Sequence, residues 1–221
     1  AVFSPIIPDF GDFTTTQSEK YPFDQAKAEE LLENSGWKKQ EDGTRKKEEE
    51  ILKISLTVHS EYPSYTKTAE FLKSQWEQVG VQVEISLLGE LEFQNAITPR
   101  EYQAVLYGQP YIGNDPDPFF FWHSSRKKNP GQNFALYENE EVDKLLIDAR
   151  GNISLEERKV KYAEFEEKML NDAPALFICS PQFVYITNTK IKGDETSAIV
   201  NLSYRFSDIN KWYIKTVRER R

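Results

Sequence analysis

The chain has 221 residues, of which 38% are hydrophobic, 13% aromatic and 29% charged, a composition typical of one folded domain or slightly more and not of a disordered or fibrous protein. Its 28 basic and 36 acidic residues give a net charge of −8, which repels the phosphates of nucleic acids and anionic membrane surfaces. A single cysteine, Cys179, excludes an intrachain disulfide framework and a cysteine-based zinc site.

The opening stretch, up to about Pro22, is rich in Pro, Thr and aromatic residues without periodicity, which predicts an irregular segment. It shows neither the basic region nor the long apolar region of a signal peptide. No apolar run of the sequence reaches the roughly 20 residues that a membrane-spanning helix needs. Either the protein is cytosolic or its beginning is missing from this sequence.

The next segment predicts a short helix and then a turn. Asp24 is a favourable N-cap, and Gly36 supplies the left-handed residue that ends a helix. The charged stretch from Lys38 to Glu50 predicts a solvated turn or hairpin tip.

A strand–helix–strand unit follows. Alternating apolar and polar residues predict strands over 52–58 and 81–87, and apolar residues at helical spacing predict a helix over 66–79 between them. Such a βαβ unit implies that the two strands are parallel. Weaker patterns predict a helix over 90–97 and a third strand over 102–107.

The second half of the chain predicts two helices and then extended segments. One helix covers 142–149, and the other opens at the capping box Ser154–Glu157 and runs to about Asn171. An apolar strand is predicted over 175–179, with Cys179 a small buried thiol, and an extended piece over 183–186. The whole pattern predicts an α/β fold.

No enzymatic motif stands out. His59 and His123 lack a metal-binding companion at helical spacing, so both are predicted to be structural or merely exposed, in loops. Motifs of serine hydrolases, dinucleotide-binding folds and phosphate-binding loops are missing from the sequence. Asp115 and Asp117 flank Pro116 and are predicted to cap turns rather than to hold a metal. We therefore expect no catalytic residue, metal or cofactor.

The loop after the third predicted strand carries aromatic and amide side chains: Tyr107, Gln109, Tyr111 and Asn114. In open α/β sheets, ligands bind beyond the carboxyl ends of strands, and such side chains suit a neutral organic or peptide-like ligand. The alternative is that these aromatic residues are core.

The order of several short motifs resembles one family, the extracellular solute-binding proteins of ABC transporters for oligopeptides, dipeptides and nickel complexes, called family 5. Each motif is weak alone, but together they cover roughly Tyr21 to Gly193. The matching residues are Tyr21–Asp24, Ala26–Lys27, Leu31–Leu32, Ser35–Trp37, Leu72–Lys73, Trp76–Val83, Tyr102–Gly108, Asp115–Pro118, Asn133–Tyr137, Val142–Leu146 and Asp172–Pro174.

The resemblance implies a lobe of the type II periplasmic-binding-protein fold, an α/β lobe with a mixed, mostly parallel sheet flanked by helices. It further implies that residues 1–22 are a lead-in segment, that 23–193 form the C-terminal lobe of a two-lobed protein, and that 194–221 return toward a missing N-terminal lobe. Residues 204–214 should then lie over the lobe's own surface or form an intermolecular contact. Packing into a single closed core would contradict the fragment interpretation.

The same resemblance implies a non-enzymatic function. The chain is expected to belong to the substrate-binding component of an ABC importer, which captures a peptide or similar small solute between two lobes and delivers it to the permease subunits. This places the protein at the periplasmic or extracellular face of the envelope and leaves open a lipid anchor on an absent N-terminus. The expected ligand-binding residues are Tyr107, Gln109, Tyr111, Asn114 and Asp115.

One position departs from the peptide-binding members. Where they carry an aspartate that pairs with the α-amino group of the peptide, this chain has Ile112, which cannot hold a cation. Asp115 is a candidate substitute, and a sugar, a blocked peptide or another solute fits the residues equally well. An alternative is a sensory or regulatory protein that reads a solute with the same lobe. A hydrolase would need a nucleophile or metal that the sequence does not offer.

Overall fold

The computed structural model describes residues 1–7, 13, 19–110, 115–151, 153–181, 184–194 and 205–214. The chain divides into two compact units. The sheet unit comprises Glu19–Gly108 and Phe120–Asn139, and the helical unit comprises Ala1–Ser18, Gln109–Phe119 and Glu140–Arg221. The domain boundaries at residues 22 and 193 that the resemblance implies stay predictions.

The sheet unit is built on three parallel strands in the order β5-β4-β6. This arrangement confirms the predicted α/β fold, the βαβ unit and the third strand. Its elements are α1 (Gln25–Asn34), β1 (Lys38–Lys39), β2 (Arg45–Lys47), β3 (Glu50–Ile51), β4 (Lys53–His59), α2 (Pro63–Gln78), β5 (Gln82–Leu88), α3 (Glu90–Ile97) and β6 (Ala104–Leu106).

The two faces of β4 bury different partners because successive side chains of a strand point to opposite sides. Leu56 and Val58 pack in a core cluster with Ala69 of α2. Thr57 and His59 are also buried, and the His59 ring contacts Phe93 of α3 at 5.0 Å between centroids. Helices therefore cover both faces of the central strand.

Helix α2 begins three residues before the predicted start, because Pro63 occupies its first turn, where a missing N–H costs nothing. Val79 is its C-cap, and the next residue, Gly80, has a φ of +89°, in the left-handed region. A Cβ at this position would lie 2.8 Å from the carbonyl oxygen of Gly43. Glycine is thus required both by the backbone conformation and by the close approach of the neighbouring turn.

The charged stretch contains the predicted hairpin, with Asp42 and Gly43 in the turn between β1 and β2. Strand β3 extends this hairpin into a three-stranded antiparallel sheet, β1-β2-β3, which also holds a buried arginine. Arg45 is 1% exposed. Its Nε donates to the carbonyl of Val79 at 2.6 Å, and its Nη1 donates to Glu33 Oε1 and to the carbonyl of Trp37, both at 2.9 Å. Only the expected solvation of the stretch is wrong, and only at Arg45, because these acceptors pair with the guanidinium and satisfy its hydrogen bonds in the interior.

The helical unit contains α5 (Glu140–Ala149), α6 (Leu155–Asp172), β7 (Ile191–Lys192) and β8 (Tyr213–Ile214). Of helix α4 (Phe119–Trp122), only Phe119 belongs to this unit, and the other three residues belong to the sheet unit. The predicted capping box is confirmed: Ser154 Oγ accepts from the Glu157 N–H at 3.2 Å, and Glu157 accepts from the Ser154 N–H at 2.8 Å. Leu146, Phe165 and Met169 are fully buried.

The N-terminal residues of the helical unit pack with α6. Ile6 is fully buried, and Glu166 of α6, 8% exposed, forms hydrogen bonds with the side chain of Ser4 and the backbone of Ile6. Burial raises the pKa of the Glu166 carboxyl to about 7, against the smaller opposite effect of the two hydrogen bonds.

Two predictions for the C-terminal region are wrong. Residues 175–179 form no strand in the structure. The extended piece predicted over 183–186 stays a prediction, because its described residues 184–186 lie outside the helices and strands and Phe183 is not described. A strand needs a hydrogen-bonded partner, and here the Val2 N–H donates to the Ile178 carbonyl at 3.3 Å without a ladder. Cys179 is exposed, not buried.

The described part of the tail forms a short antiparallel pair, in which Tyr213 and Ile214 of β8 meet β7. Phe206, Ile209, Tyr213 and Ile214 are between 41% and 58% exposed. These four side chains are therefore not packed into a closed core; Tyr204 lies outside the described residues, and the role of 194–221 as a return segment stays a prediction. Across the described ranges, no helix combines the length and the apolar character needed to cross a membrane.

Candidate functional site

The carboxyl ends of the three parallel strands lie at one edge of the sheet. His59 is in register with Leu88, and Val58 with Leu106, so the residues that follow β4, β5 and β6 emerge side by side. We call the residues gathered there the carboxyl-edge cluster: His59, Glu61, Tyr62, Tyr65, Glu90, Phe93 and Tyr107. This edge is where open α/β sheets bind ligands.

His59 is held by both ring nitrogens. Its Nδ1 accepts from the Glu61 N–H at 3.2 Å, and its Nε2 lies 2.6 Å from Glu90 Oε2. Because a nitrogen that accepts a hydrogen bond carries no proton, the network assigns the ring proton to Nε2, which donates to the carboxylate. The ring is therefore a fixed donor aimed at Glu90.

Glu90 is the first residue of α3, where the helix dipole favours a negative charge. Its Oε1 accepts from Gln94 Nε2 at 3.2 Å, so both carboxylate oxygens have a protein donor. The hydrogen bond from His59, with the second from Gln94, holds the pKa of the Glu90 carboxyl below its ordinary value. The side chain is still 59% exposed, so its outer acceptor positions face solvent.

Aromatic rings surround this pair. Tyr62 lies 4.9 Å from His59 and 5.2 Å from Tyr65, measured between ring centroids. Tyr107 stacks on Phe93 at 6.5 Å and contacts Phe134 at 4.3 Å. Burial raises the pKa of the Tyr107 hydroxyl, and the charges of Arg100 and Glu90 act on it in opposite directions. The cluster thus combines carboxylates with aromatic faces.

Arg100 supports one side of the cluster. Its guanidinium lies 4.4 Å from the centroid of the Phe134 ring and donates to the carbonyls of Lys127 at 3.0 Å and Gly131 at 2.7 Å. The backbone of Phe134 is also held in place, because its carbonyl accepts a hydrogen bond from the Tyr102 hydroxyl at 2.7 Å. The ring against which Tyr107 packs is therefore fixed in place.

A metal ion is a poor fit to the one His–carboxylate group found among the described residues. The group consists of a ring nitrogen of His59 and one carboxylate oxygen each from Glu61 and Glu90, and these three atoms lie within 4.8 Å of one another. A metal bound at Nε2 would require the ring proton to sit on Nδ1, where the Glu61 N–H already donates. The hydrogen bonds present therefore favour recognition of an organic solute over metal coordination.

The five predicted ligand residues are distributed unevenly. Tyr107 lies in the carboxyl-edge cluster. Gln109 is half-buried and belongs to the helical unit. Tyr111 and Asn114, with Ile112 of the expected amine site, lie outside the described residues.

Asp115 is held within the helical unit. Its Oδ1 accepts from the Asp117 N–H at 3.0 Å and from the Tyr162 hydroxyl at 3.3 Å, and its Oδ2 pairs with Arg158. These contacts confirm the predicted turn-capping role of Asp115. Its predicted role in ligand binding stays a prediction.

Sequence reasoning missed His59, Glu61, Tyr62 and Glu90 as site residues. His59 was expected in a loop, but it ends β4 and is 4% exposed. His123 is likewise buried, and its Nδ1 accepts from the Ser125 N–H at 3.1 Å as an N-cap. The signal that could have found the cluster is the carboxyl-end rule, applied to all three strands and not to the third alone.

Comparison with known proteins identifies the class. The family described as "Bacterial extracellular solute-binding proteins, family 5 Middle" matches residues 2–131, more than half of the chain. The chain therefore belongs to family 5 of the bacterial extracellular solute-binding proteins, as the motifs predicted.

Individual relatives agree with this assignment. The chain is 24% identical over 165 residues to the oligopeptide-binding protein AppA of Bacillus subtilis, covering 73% of this chain and 30% of AppA. It is 27% identical over 177 residues to the dipeptide-binding protein of Escherichia coli, covering 79% of this chain and 32% of that protein. The chain thus spans about a third of the length of these curated relatives.

The fold is shared with solved structures. The structure of NikZ from Campylobacter jejuni in complex with Ni(L-His) matches with a TM-score of 0.73 and 24% identity, covering 95% of this chain and 43% of NikZ. This confirms the periplasmic-binding-protein fold.

Proposed function

We propose that this chain is part of the substrate-binding component of an ABC importer and that the carboxyl-edge cluster forms one wall of its solute site. The observation that carries the proposal is the convergence of Tyr62, Tyr107 and Glu90 at the carboxyl ends of three parallel strands, in a chain of the solute-binding family. Membership of an extracellular family supports a location at the periplasmic or outer face of the envelope.

The solute that suits this wall is a peptide-like molecule. Aromatic faces bury apolar side chains, and a carboxylate binds an amine. The named relatives include oligopeptide- and dipeptide-binding proteins, which favours this class. The chain would bind the solute without chemical change and present it to permease subunits.

The proposal includes a second lobe. Residues 23–193 would form the C-terminal lobe, with 1–22 leading in and 194–221 returning to an N-terminal lobe outside this sequence. The share of the relatives that the chain covers, about a third, supports this arrangement. Because capture between lobes is a hinge motion, the chain alone should bind weakly, with a dissociation constant on the order of 1 mM or above.

The test is a titration of the ¹⁵N-labelled chain with trialanine, followed by amide chemical shifts. We expect weak, saturable shifts confined to residues near the ends of β4, β5 and β6. Tyr107→Ala should abolish them, whereas Tyr213→Ala, a matched change at an exposed tyrosine of the helical unit, should leave them unchanged. Shifts confined to other regions, no shifts, or nanomolar binding by the chain alone would each contradict the proposal.

A further inference from the structure

The first residues of the chain lie against α6 as a strap. Residues 1–6, which we call the N-terminal strap, form no helix or strand. Four of them are nevertheless buried: Val2, Ser4, Pro5 and Ile6. The Val2 N–H donates to the Ile178 carbonyl at 3.3 Å. Without a ladder of backbone hydrogen bonds, the attachment of the strap depends on individual side-chain contacts.

Glu166 of α6 is the ionisable group that bonds to the strap. The residue is 8% exposed, and its carboxyl forms hydrogen bonds with the Ser4 side chain and the Ile6 backbone. The bond from Ile6 stabilises the ionised form of the carboxyl, so the Ile6 N–H is the donor. The Oε1 atom of Glu166 is buried and has no hydrogen-bond partner among the described residues. A negative charge on this carboxyl would therefore be poorly satisfied.

The hydroxyl of Ser4 faces two acceptors when Glu166 is ionised. It donates to the Ile6 carbonyl at 2.9 Å and also contacts the Glu166 carboxyl, but it has one proton to donate. A carboxylate and the Ile6 carbonyl thus compete for that proton, and one of them is left without it. A protonated Glu166 ends the competition, because it donates to Ser4 Oγ while Ser4 donates to Ile6.

The charged groups around α6 are engaged elsewhere. Residues 1–7 contain no ionisable side chain. Glu164 and Glu167, the acidic neighbours of Glu166 on α6, are exposed, and so is Cys179 of the segment beside the strap. The ionisable side chains that link α6 to its surroundings bond to one another, in the pairs Glu141–Lys168, Asp148–Lys161, Asp115–Arg158 and Asp115–Tyr162. The pKa of Glu166 is raised by burial, with the two strap contacts opposing it, and no charged group of the described residues is among its causes.

From this network we infer that the N-terminal strap is a pH-sensitive latch, which docks on α6 when Glu166 is protonated and loosens when Glu166 is ionised. Ionisation places a charge in a buried site, whereas release of the strap lets water solvate the carboxylate. Helices α5 and α6 also pack against each other and bury Leu146 and Phe165, so they can stay together when the strap leaves. The inference does not depend on the proposed solute site.

Amide hydrogen exchange of the ¹⁵N-labelled chain tests the latch at the Ile6 N–H. Its protection, corrected for the intrinsic exchange rate, should fall about tenfold between pH 6 and pH 8, because docked Glu166 loses its proton with a pKa of about 7. Ile6 should also be less protected than the Leu146 amide of α5 at each pH, since release of the strap is a smaller opening than separation of the helices. Protection of Ile6 that is independent of pH, or equal to that of Leu146 at each pH, would overturn the inference.

Two matched variants identify the group that operates the latch. Glu166→Gln keeps a side chain that can donate to Ser4 but cannot ionise, so Ile6 should stay protected to the same degree from pH 6 to pH 8. Glu167→Gln removes an exposed carboxylate from the next position of α6 and should retain the tenfold fall. A pH dependence that persists in Glu166→Gln would mean that another group operates the strap and that the inference is wrong. Amide spectra report whether each variant folds, and the pH profile of the parent chain tests the latch even if Glu166→Gln does not.

Discussion

Nε2 of His59 lies 2.6 Å from Oε2 of Glu90, which joins the end of β4 to the beginning of α3 across 31 positions of sequence. The contact exists because the parallel register brings His59 beside Leu88, two residues before Glu90. The same register places Tyr107, which follows β6, near the pair. The candidate site is therefore a consequence of sheet topology.

Replacing His59 by Phe should raise the pKa of Glu90. The hydrogen bond from His59 is the largest cause of the lowered value, so its loss should move the carboxyl toward the ordinary glutamate pKa. A ¹³C NMR titration of the glutamate carboxyl groups measures the change. Gln94→Ala removes the second donor and should cause a smaller rise. An unchanged Glu90 titration in His59→Phe would mean that the hydrogen bond does not form in solution.

Replacing Arg45 by Met should destabilise the sheet unit. The substitution leaves the carbonyls of Val79 and Trp37 without their donor, at a cost of about 2–4 kcal/mol in the free energy of unfolding. Urea unfolding followed by circular dichroism measures the loss. Lys47→Met, at an exposed position of the same strand, is the matched control and should change stability by less than about 0.5 kcal/mol. Equal effects of the two variants would contradict a stabilising role of the buried guanidinium.

The stability of the helical unit should fall as the pH rises from 4.5 to 7. Glu166 has a pKa of about 7 in the folded state and an ordinary value of 4.5. Between these two pH values the folded state binds more protons than the unfolded state, so the free energy of unfolding decreases as the pH rises. The difference corresponds to a loss of about 3 kcal/mol. Glu166→Gln cannot ionise and should abolish this part of the pH dependence in urea unfolding. Identical pH profiles for the parent chain and Glu166→Gln would show that the carboxyl is not buried in solution.

Replacing Asp115 by Asn separates its two roles. The contacts with Arg158 and Tyr162 predict a loss of about 1 kcal/mol in unfolding free energy, a small value because the pair is partly exposed and screened. Thermal unfolding measures it. The trialanine titration of the same variant tests the ligand role that the sequence predicts: reduced affinity would support that role, and unchanged affinity would assign Asp115 to stability alone.

The regular elements were predictable where one chemical pattern ran over a full element. Alternation predicted β4 and β5, and both strands form with the parallel pairing that a βαβ unit implies. The continuous apolar run at 175–179 was predicted as a strand without such alternation, and it forms none, because pairing depends on a partner that no local pattern reveals.

The site was less predictable than the fold. Tyr107 was predicted because it stands at the carboxyl end of the third predicted strand, 102–107. The sequence offers His59 no metal-binding companion at helical spacing. Its hydrogen-bond partner Glu90 lies 31 positions away and is brought next to it by the sheet. The burial of Arg45 has the same cause, since its acceptor Val79 lies 34 positions away in the sequence. Contacts between elements are set by tertiary structure, which residue spacing does not encode.

The most direct test of the solute site is the detection of intermolecular nuclear Overhauser effects between the methyl groups of bound trialanine and aromatic ring protons of the chain. We predict contacts to the rings of Tyr62 and Tyr107, at the carboxyl ends of β4 and β6. Contacts only to rings elsewhere, such as Tyr213 or Phe206 of the tail, would contradict a solute site at the edge of the sheet.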